Sequence, residues 1–259
     1  GCHWIRTNRC LVEKSGGTDF SRMLEDKTEN ILSTAKIREI FSSELHNFIS
    51  AIREEKVMLS MSYLSPIDYF MTLTNARSAV IEQHEYYQKQ TYRNRCRIAG
   101  ANGVLDLIIP VEKTANNKAT VRDIRISGHN DWQRQHWKAI SSAYLSSPFF
   151  EYYLDDFRPF YEKNWLFLWD FNMEIQNKIF ELLEIYPKLE FTDKFIDKIE
   201  ENILDLRLQF HPKKQPFLKI PSYYQVFENK FGFISGLSII DLLFNMGNES
   251  LLWLLGKAE

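Results

Sequence analysis

The stretch VMLSMSYLSPIDYFMTLTNARSAVIE, residues 57–82, decides the fold class. Residues 57–62 are apolar enough for a short buried strand. Residues 63–66 follow as a loop, and Pro66 suits the first turn of a helix over residues 67–74. Residues 79–82 have the pattern of a second strand. A strand, a helix and a strand in such close succession predict a crossover unit with parallel strands.

A β-hairpin is predicted directly after this unit. Residues 92–99 and 104–111 have strand-forming composition, and the segment between them contains Asn102-Gly103, which tolerates positive φ. Residues 121–126 alternate imperfectly and are a further strand candidate. The sheet is therefore expected to be mixed.

The flanking regions have different patterns. Residues 1–32 show no apolar period, so we expect a poorly packed lead segment whose removal costs little stability. Residues 33–56 form an amphipathic helix, because apolar side chains recur there at helical spacing. The remaining elements predicted by pattern are a strand at residues 189–192 and helices at residues 132–144, 149–156, 163–183, 197–206 and 238–244.

Together these patterns predict an α/β fold with a mixed-sheet core over residues 57–126 and a mainly helical half over residues 127–259.

The net charge of -2 argues against a bulk polyanion binder. Three cysteines without a CxxC motif favour a reducing cytoplasm and disfavour a cysteine-rich zinc site. Since no stretch approaches ~18 uninterrupted apolar residues, no transmembrane helix is expected.

The most distinctive local feature is the basic segment, residues 86–97, which contains four cations and no acid. If it is extended, Arg93, Arg95 and Arg97 share one face. Guanidinium groups beside tyrosine rings are suited to binding phosphate and stacking a base or sugar. The alternatives are a solvated strand face paired with surface acids and a site for single-stranded nucleic acid. The overall acidic balance disfavours nucleic acid.

Two loops are expected to converge on the basic segment. Tyr63 follows the first predicted strand and Glu82 ends the second, and ligands of open α/β sheets bind outside the carboxyl ends of strands. Trp132 and His136 lie four residues apart on a predicted helix. His136 is the candidate general base if its helix faces the basic segment, with nearby cations lowering its pKa; otherwise it is a core histidine.

No metal or cofactor motif is found. The histidines lack ligand spacing such as HxxxH, and the chain has no GxSxG, P-loop or GxGxxG motif. We therefore expect no metal and no cofactor.

An ordered series of segments resembles the WbqC-like protein family. It runs through Tyr63, residues 81–95, Trp132 with His136-Trp137, residues 147–153 and residues 232–245. The chain departs from many relatives at Ser60-Met61, where they carry Gln-Pro, and at Gln83-His84, where they carry an acidic pair. The resemblance implies a domain over residues 57–259 and a role in making or modifying an activated sugar, with aminoacyl or glycyl transfer suggested for relatives. It supplies no catalytic residues.

The function expected from residues and resemblance together is a cytoplasmic transferase acting on a nucleotide-linked or phosphorylated sugar. The alternative is a non-catalytic binding protein for a phosphorylated ligand or single-stranded nucleic acid. The aromatic content of 14% favours self-association. In this hypothesis the catalytic base is His136, and the residues that hold the substrate are Tyr63, Glu82, Tyr87, Lys89, Tyr92, Arg93, Asn94, Arg95 and Trp132.

Overall fold

The computed structural model describes residues 34–113 and 119–257. The predicted lead segment, residues 1–32, lies outside the described residues. The helix predicted over residues 33–56 is observed as α1 (Thr34–Ile52). The other elements, in chain order, are β1 (Lys56–Ser60), α2 (Ile67–Asn75), β2 (Ser78–Glu82), β3 (Arg95–Gly100), β4 (Gly103–Ile108), α3 (Trp132–Tyr144), α4 (Phe150–Glu162), α5 (Leu168–Leu182), β5 (Leu189–Phe191), β6 (Ile203–Asp205), α6 (Glu228–Phe231), α7 (Ile239–Met246) and α8 (Ser250–Leu254).

The central sheet has the strand order β5-β2-β1-β6, and every neighbouring pair is parallel. The predicted strand–helix–strand unit is therefore confirmed as β1–α2–β2. Its strands are buried apolar runs, as parallel strands covered on both faces require. Because β1 and β2 end in register, Ser60 lies directly beside Glu82 at the carboxyl edge of the sheet.

The predicted hairpin is confirmed as β3–β4, an antiparallel pair that forms a separate sheet. Gly103, at φ +104°, closes the turn in a conformation that an L side chain rarely adopts. Parallel and antiparallel pairing therefore both occur, in two sheets, and the second half of the chain is mainly helical. The predicted α/β fold class is confirmed.

Two predicted elements are wrong. Residues 121–126 form a 3₁₀ turn at Val121–Asp123 followed by isolated bridges, not a strand. Val121 and Ile124 are both buried, and their spacing of three matches the tight turn. Residues 197–206 form no helix; they end in β6, because pairing with β1 overrides the weak helical pattern.

The apolar core joins the two halves of the chain. It includes Leu59 from β1, Phe171 from α5 and Phe244 from α7, all fully buried. Helix α3 packs against β3 of the hairpin. The helical half thus covers the hairpin, while the carboxyl edge of the parallel sheet is left to loops.

Candidate functional site

Arg93 lies before β3 and turns into the protein. Its Nε and Nη2 donate to the two carboxylate oxygens of Glu85 at 2.9 and 2.5 Å, and Nη2 also donates to Ser60 Oγ at 2.9 Å. The side chain is only 4% exposed. The prediction that Arg93 shares one face with Arg95 and Arg97 in an extended segment is therefore wrong, because the strand begins only at Arg95 and the guanidinium of Arg93 binds the buried carboxylate of Glu85.

Arg95 and Arg97 do share one face of β3, as period two predicts. Asp106, opposite Arg97 on β4, pairs with both: Arg95 Nη1 lies 2.9 Å and Arg97 Nε 3.2 Å from its carboxylate. The Arg97 Nη2 also donates to the carbonyl of Pro212 at 3.1 Å. One acid that lies outside the basic segment thus partly neutralises the predicted cationic face.

Glu82 is fully buried at the end of β2 and joins two loops. Its oxygens accept hydrogen bonds from the backbone amide of His84 at 2.8 Å, the hydroxyl of Thr192 at 2.8 Å and the amide of Ile196 at 3.1 Å. Arg207 Nη1 lies 3.8 Å from the same carboxylate. Glu82 therefore connects the loop that follows β2 to the loop that follows β5.

Tyr63 and His136 lie together in the interior of the protein. His136 Nε2 donates to the carbonyl of Ile108 at 3.2 Å, so Nδ1 accepts from the Tyr63 hydroxyl at 3.1 Å. Tyr161 donates in turn to Tyr63 at 2.9 Å, and Trp132 packs edge-on against the imidazole. These contacts form a closed hydrogen-bonded chain under an aromatic cover.

The pKa of His136 is lowered to about 4. The expected direction is observed, but the cause is burial and not the arginines, as only 5% of the residue is exposed. The imidazole is therefore neutral at pH 7, and both of its nitrogens are already engaged. The catalytic role of His136 stays a prediction, and this enclosed geometry weighs against it.

The other predicted site residues occupy three environments. Lys89 is exposed, and Tyr87 is half-buried with its pKa raised to about 12, mainly by burial. Asn94 is buried and donates to the carbonyl of Ile109 at 2.8 Å, which fixes the start of the hairpin. Tyr92 is buried and lines a surface cleft.

That cleft has a volume of about 230 Å³ and lies between the N-terminal end of α2, strand β3 and the loop at residues 209–217. Four of its lining residues are basic side chains: Arg97, His211, Lys213 and Lys214. Lys213 and Lys214 are exposed. The cleft is therefore suited to an anionic ligand.

His211 has a defined tautomer in the cleft. The backbone amide of Lys213 donates to its Nδ1 at 3.1 Å, which leaves the proton of a neutral ring on Nε2. Partial burial lowers the pKa of His211, and the neighbouring Lys214 and Lys213 lower it further. The ring is thus a neutral donor at pH 7, able to offer Nε2–H to an anionic oxygen.

Asp68 is the carboxylate of the cleft, and it is buried. Its Oδ2 accepts from the amide of Phe217 at 2.6 Å and its Oδ1 from the amide of Tyr69 at 3.0 Å. Burial raises the pKa of Asp68 to about 6, against the effect of these hydrogen bonds. Asp68 therefore ties the 209–217 loop to the start of α2.

The site residues predicted from the sequence do not include Asp68, His211, Lys213 and Lys214. The run His211-Pro212-Lys213-Lys214 is a visible signal of a basic loop. Its proximity to β3 could not be predicted, because it depends on the pairing of β6 with β1. In the described part of the chain, no three His, Cys, Asp or Glu side chains are grouped so as to hold a metal ion, and no helix is long and apolar enough to cross a membrane.

Comparison with known proteins gives one family and one distant relative. A model of the WbqC-like protein family matches residues 62–216. The uncharacterised protein Rv1507c of Mycobacterium tuberculosis is 24% identical over 222 residues, which cover 74% of this chain and 94% of the relative. No solved structure matches the chain. The matched range begins beside Tyr63 and ends at the loop that covers the cleft.

Proposed function

Because the chain belongs to the WbqC-like protein family, we propose that it is a transferase acting on a nucleotide-activated or phosphorylated sugar. We place it in bacterial surface-polysaccharide synthesis, in the cytoplasm, with aminoacyl or glycyl transfer as the candidate reaction. The observation that carries the proposal is the basic cleft formed by Arg97, His211, Lys213 and Lys214.

The cleft suits a phosphoryl group in both charge and size. Two exposed ammonium groups and a neutral imidazole donor can each make a charge-assisted hydrogen bond to phosphate oxygens, contributing roughly 1.5–3 kcal/mol each. Its volume of about 230 Å³ lies below the roughly 300–1,000 Å³ typical of drug-sized ligand sites. The cleft is therefore expected to hold the phosphoryl portion of a nucleotide sugar, with the rest of the ligand outside.

The residues of the cleft have separable roles in this proposal. Lys213 and Lys214 stabilise the negative charge of a bound or departing phosphate. His211 orients one oxygen through Nε2–H. Arg97 supports the loop by its hydrogen bond to the carbonyl of Pro212, and Asp68 supports it from the opposite side through Phe217.

Calorimetric titration with inorganic pyrophosphate tests the cleft. We expect saturable binding to the full chain and at least a tenfold loss of affinity in the Lys213→Ala/Lys214→Ala double variant, since a tenfold change needs only about 1.4 kcal/mol. Lys138→Ala, at an exposed lysine of α3 outside the cleft, is the matched control. Equal affinities in the double variant and the wild type would overturn the assignment of the cleft.

A second test addresses turnover. Nucleotide sugars and aminoacyl donors are incubated with the protein, and covalent products are sought by mass spectrometry. A non-catalytic binding role is the second candidate, and one observation favours it. Both carboxylate oxygens of Asp68, the acid of the cleft, accept hydrogen bonds from backbone amides, so they are engaged in holding the loop and not in proton transfer. Saturable binding of phosphorylated sugars without turnover of any donor would support that alternative.

A further inference from the structure

Two partly exposed aromatic rings are stacked on each other beyond the carboxyl ends of β2 and β5. Tyr86 is 52% exposed and Phe195 is 45% exposed. Their ring centroids are 6.3 Å apart and their planes differ by 25°. The rings belong to different loops, so their near-parallel arrangement is a product of the tertiary fold.

The buried side chain of Glu82 holds the two loops that carry these rings. This buried carboxylate accepts from the amide of His84, two residues before Tyr86, and from the amide of Ile196, the residue after Phe195. The hydroxyl of Thr192 donates to the same carboxylate at 2.8 Å. One buried side chain thus orders both loops that carry the exposed rings.

Arg207 supports the second ring. Its guanidinium carbon lies 5.7 Å from the ring centroid of Phe195. The guanidinium is itself held by Asp205, with Nε and Nη2 at 3.0 and 2.9 Å from the carboxylate, and Nη1 donates to the carbonyl of Ile196 at 3.0 Å. The ring of Phe195 therefore has a preorganised position, which lowers the entropy lost on binding.

We propose that Tyr86 and Phe195 form a ring-binding subsite for a nucleobase or for the apolar face of a pyranose, at the carboxyl edge of the parallel sheet. Ligands of open α/β sheets bind at this edge. Aromatic faces bind flat rings with little dependence on ring identity, because every base presents a π-face. The subsite shares neither of its two rings with the basic cleft and differs from it in chemistry.

The test uses probes that contain a ring and no phosphate. Uridine and methyl β-glucoside are titrated separately into the full chain and followed by ligand-observed NMR. We expect saturable millimolar binding of at least one probe, and about tenfold weaker binding in Tyr86→Ala and in Phe195→Ala, in line with the effect of removing one stacking partner. Binding of uridine alone identifies a base site, and binding of the glucoside alone identifies a sugar site.

Tyr186→Ala is the matched control, because this tyrosine is 85% exposed and lies outside both loops. It should bind the probes as the wild type does. If neither probe binds saturably, or if Tyr86→Ala and Phe195→Ala leave the affinity unchanged, the proposal is overturned.

Binding at the ring subsite and binding at the basic cleft can be tested separately. Pyrophosphate, which has no ring, should bind Tyr86→Ala as it binds the wild type, whereas the ring probes should bind the Lys213→Ala/Lys214→Ala variant normally. Loss of ring-probe binding in the lysine variant would place the probes in the cleft and overturn the separate subsite.

Discussion

Arg93 and Glu85 form a bidentate ion pair in the interior, with nitrogen–oxygen distances of 2.9 and 2.5 Å. The pair is closed by Ser60, whose hydroxyl accepts from Arg93 and donates to Glu85 at 3.1 Å. It fastens the segment that leads into the hairpin to the end of β1. The first arginine of the basic segment thus supports the fold at the edge where ligands are expected.

Removal of one partner of this pair should be strongly destabilising. Arg93→Ala leaves the carboxylate of Glu85 buried and unpaired, so we expect a loss of roughly 3–5 kcal/mol in the free energy of unfolding. Urea denaturation measures the loss. Arg134→Ala, which breaks an exposed ion pair with Asp131, is the control and should change little. Comparable stability of the two variants would contradict the structural role of Arg93.

Asp241 should make stability depend on pH in a direction unusual for a carboxylate. Burial raises its pKa to about 6, although Tyr144 and Tyr223 both donate hydrogen bonds to it. The folded protein therefore binds this proton more tightly than the unfolded chain does. Protonation of Asp241 therefore stabilises the folded state. This stabilisation is complete below about pH 4, near the ordinary pKa of an aspartate, and is lost as the pH rises to about 6.

The measurement is the free energy of unfolding of the wild type minus that of Asp241→Asn at a series of pH values. The difference should fall by roughly 3 kcal/mol between pH 4 and pH 7, since each pKa unit corresponds to about 1.4 kcal/mol. The subtraction removes the contribution of Asp68, whose pKa is raised in the same direction. A difference that does not vary with pH would refute the assignment.

His136→Ala separates the structural reading of this histidine from the catalytic one. The substitution removes the hydrogen bonds to Tyr63 and Ile108 and leaves a cavity beside Trp132, so we expect a loss of roughly 2–4 kcal/mol in stability. Pyrophosphate binding by the folded fraction should be unchanged. If transfer activity is found, loss of turnover with stability retained would instead support His136 as the base.

Gly236 should control the shape of the cleft. It has φ +71°, and an added Cβ would lie 2.9 Å from Cγ of Pro216 on the cleft loop. Gly236→Ala should therefore reduce stability by about 1–2 kcal/mol and also weaken pyrophosphate binding. Calorimetry and denaturation measure the two effects.

Gly232 provides the matched control for this substitution. Its φ is +69°, but an added Cβ would meet no atom within 4 Å. Gly232→Ala should carry the backbone strain without moving the cleft loop, so its pyrophosphate affinity should equal that of the wild type. Equal affinities in both glycine variants would show that Pro216 does not set the shape of the cleft.

The elements with local signals could be predicted from the sequence. The strand–helix–strand unit and the hairpin follow from apolar runs and from Asn102-Gly103. The nature of residues 197–206 could not be predicted, because β6 exists only through its pairing with β1. Its three residues carry too little local preference to indicate a strand.

The site was harder to predict than the fold, because charge patterns do not reveal their partners. The basic segment was recognised from its arginines, but the acids that neutralise them come from elsewhere: Glu85 precedes the segment and Asp106 lies on the next strand. His211 and Lys213 reach the same region from a distant loop. Only the tertiary structure distinguishes a paired guanidinium from one open to a ligand.

The strand order of the parallel sheet has a consequence for synthesis on the ribosome. The inner strands β1 and β2 are made early, whereas their outer neighbours β6 and β5 come much later. Glu82 is separated from its hydrogen-bond partner Thr192 by 110 residues, and Ser60 from Arg207 by 147. At roughly 5–20 residues per second, both edges of the nascent β1–β2 pair remain without strand partners for several seconds or longer. Such edges are templates for wrong pairing, so recovery of native protein should depend on chaperones that shield them during translation.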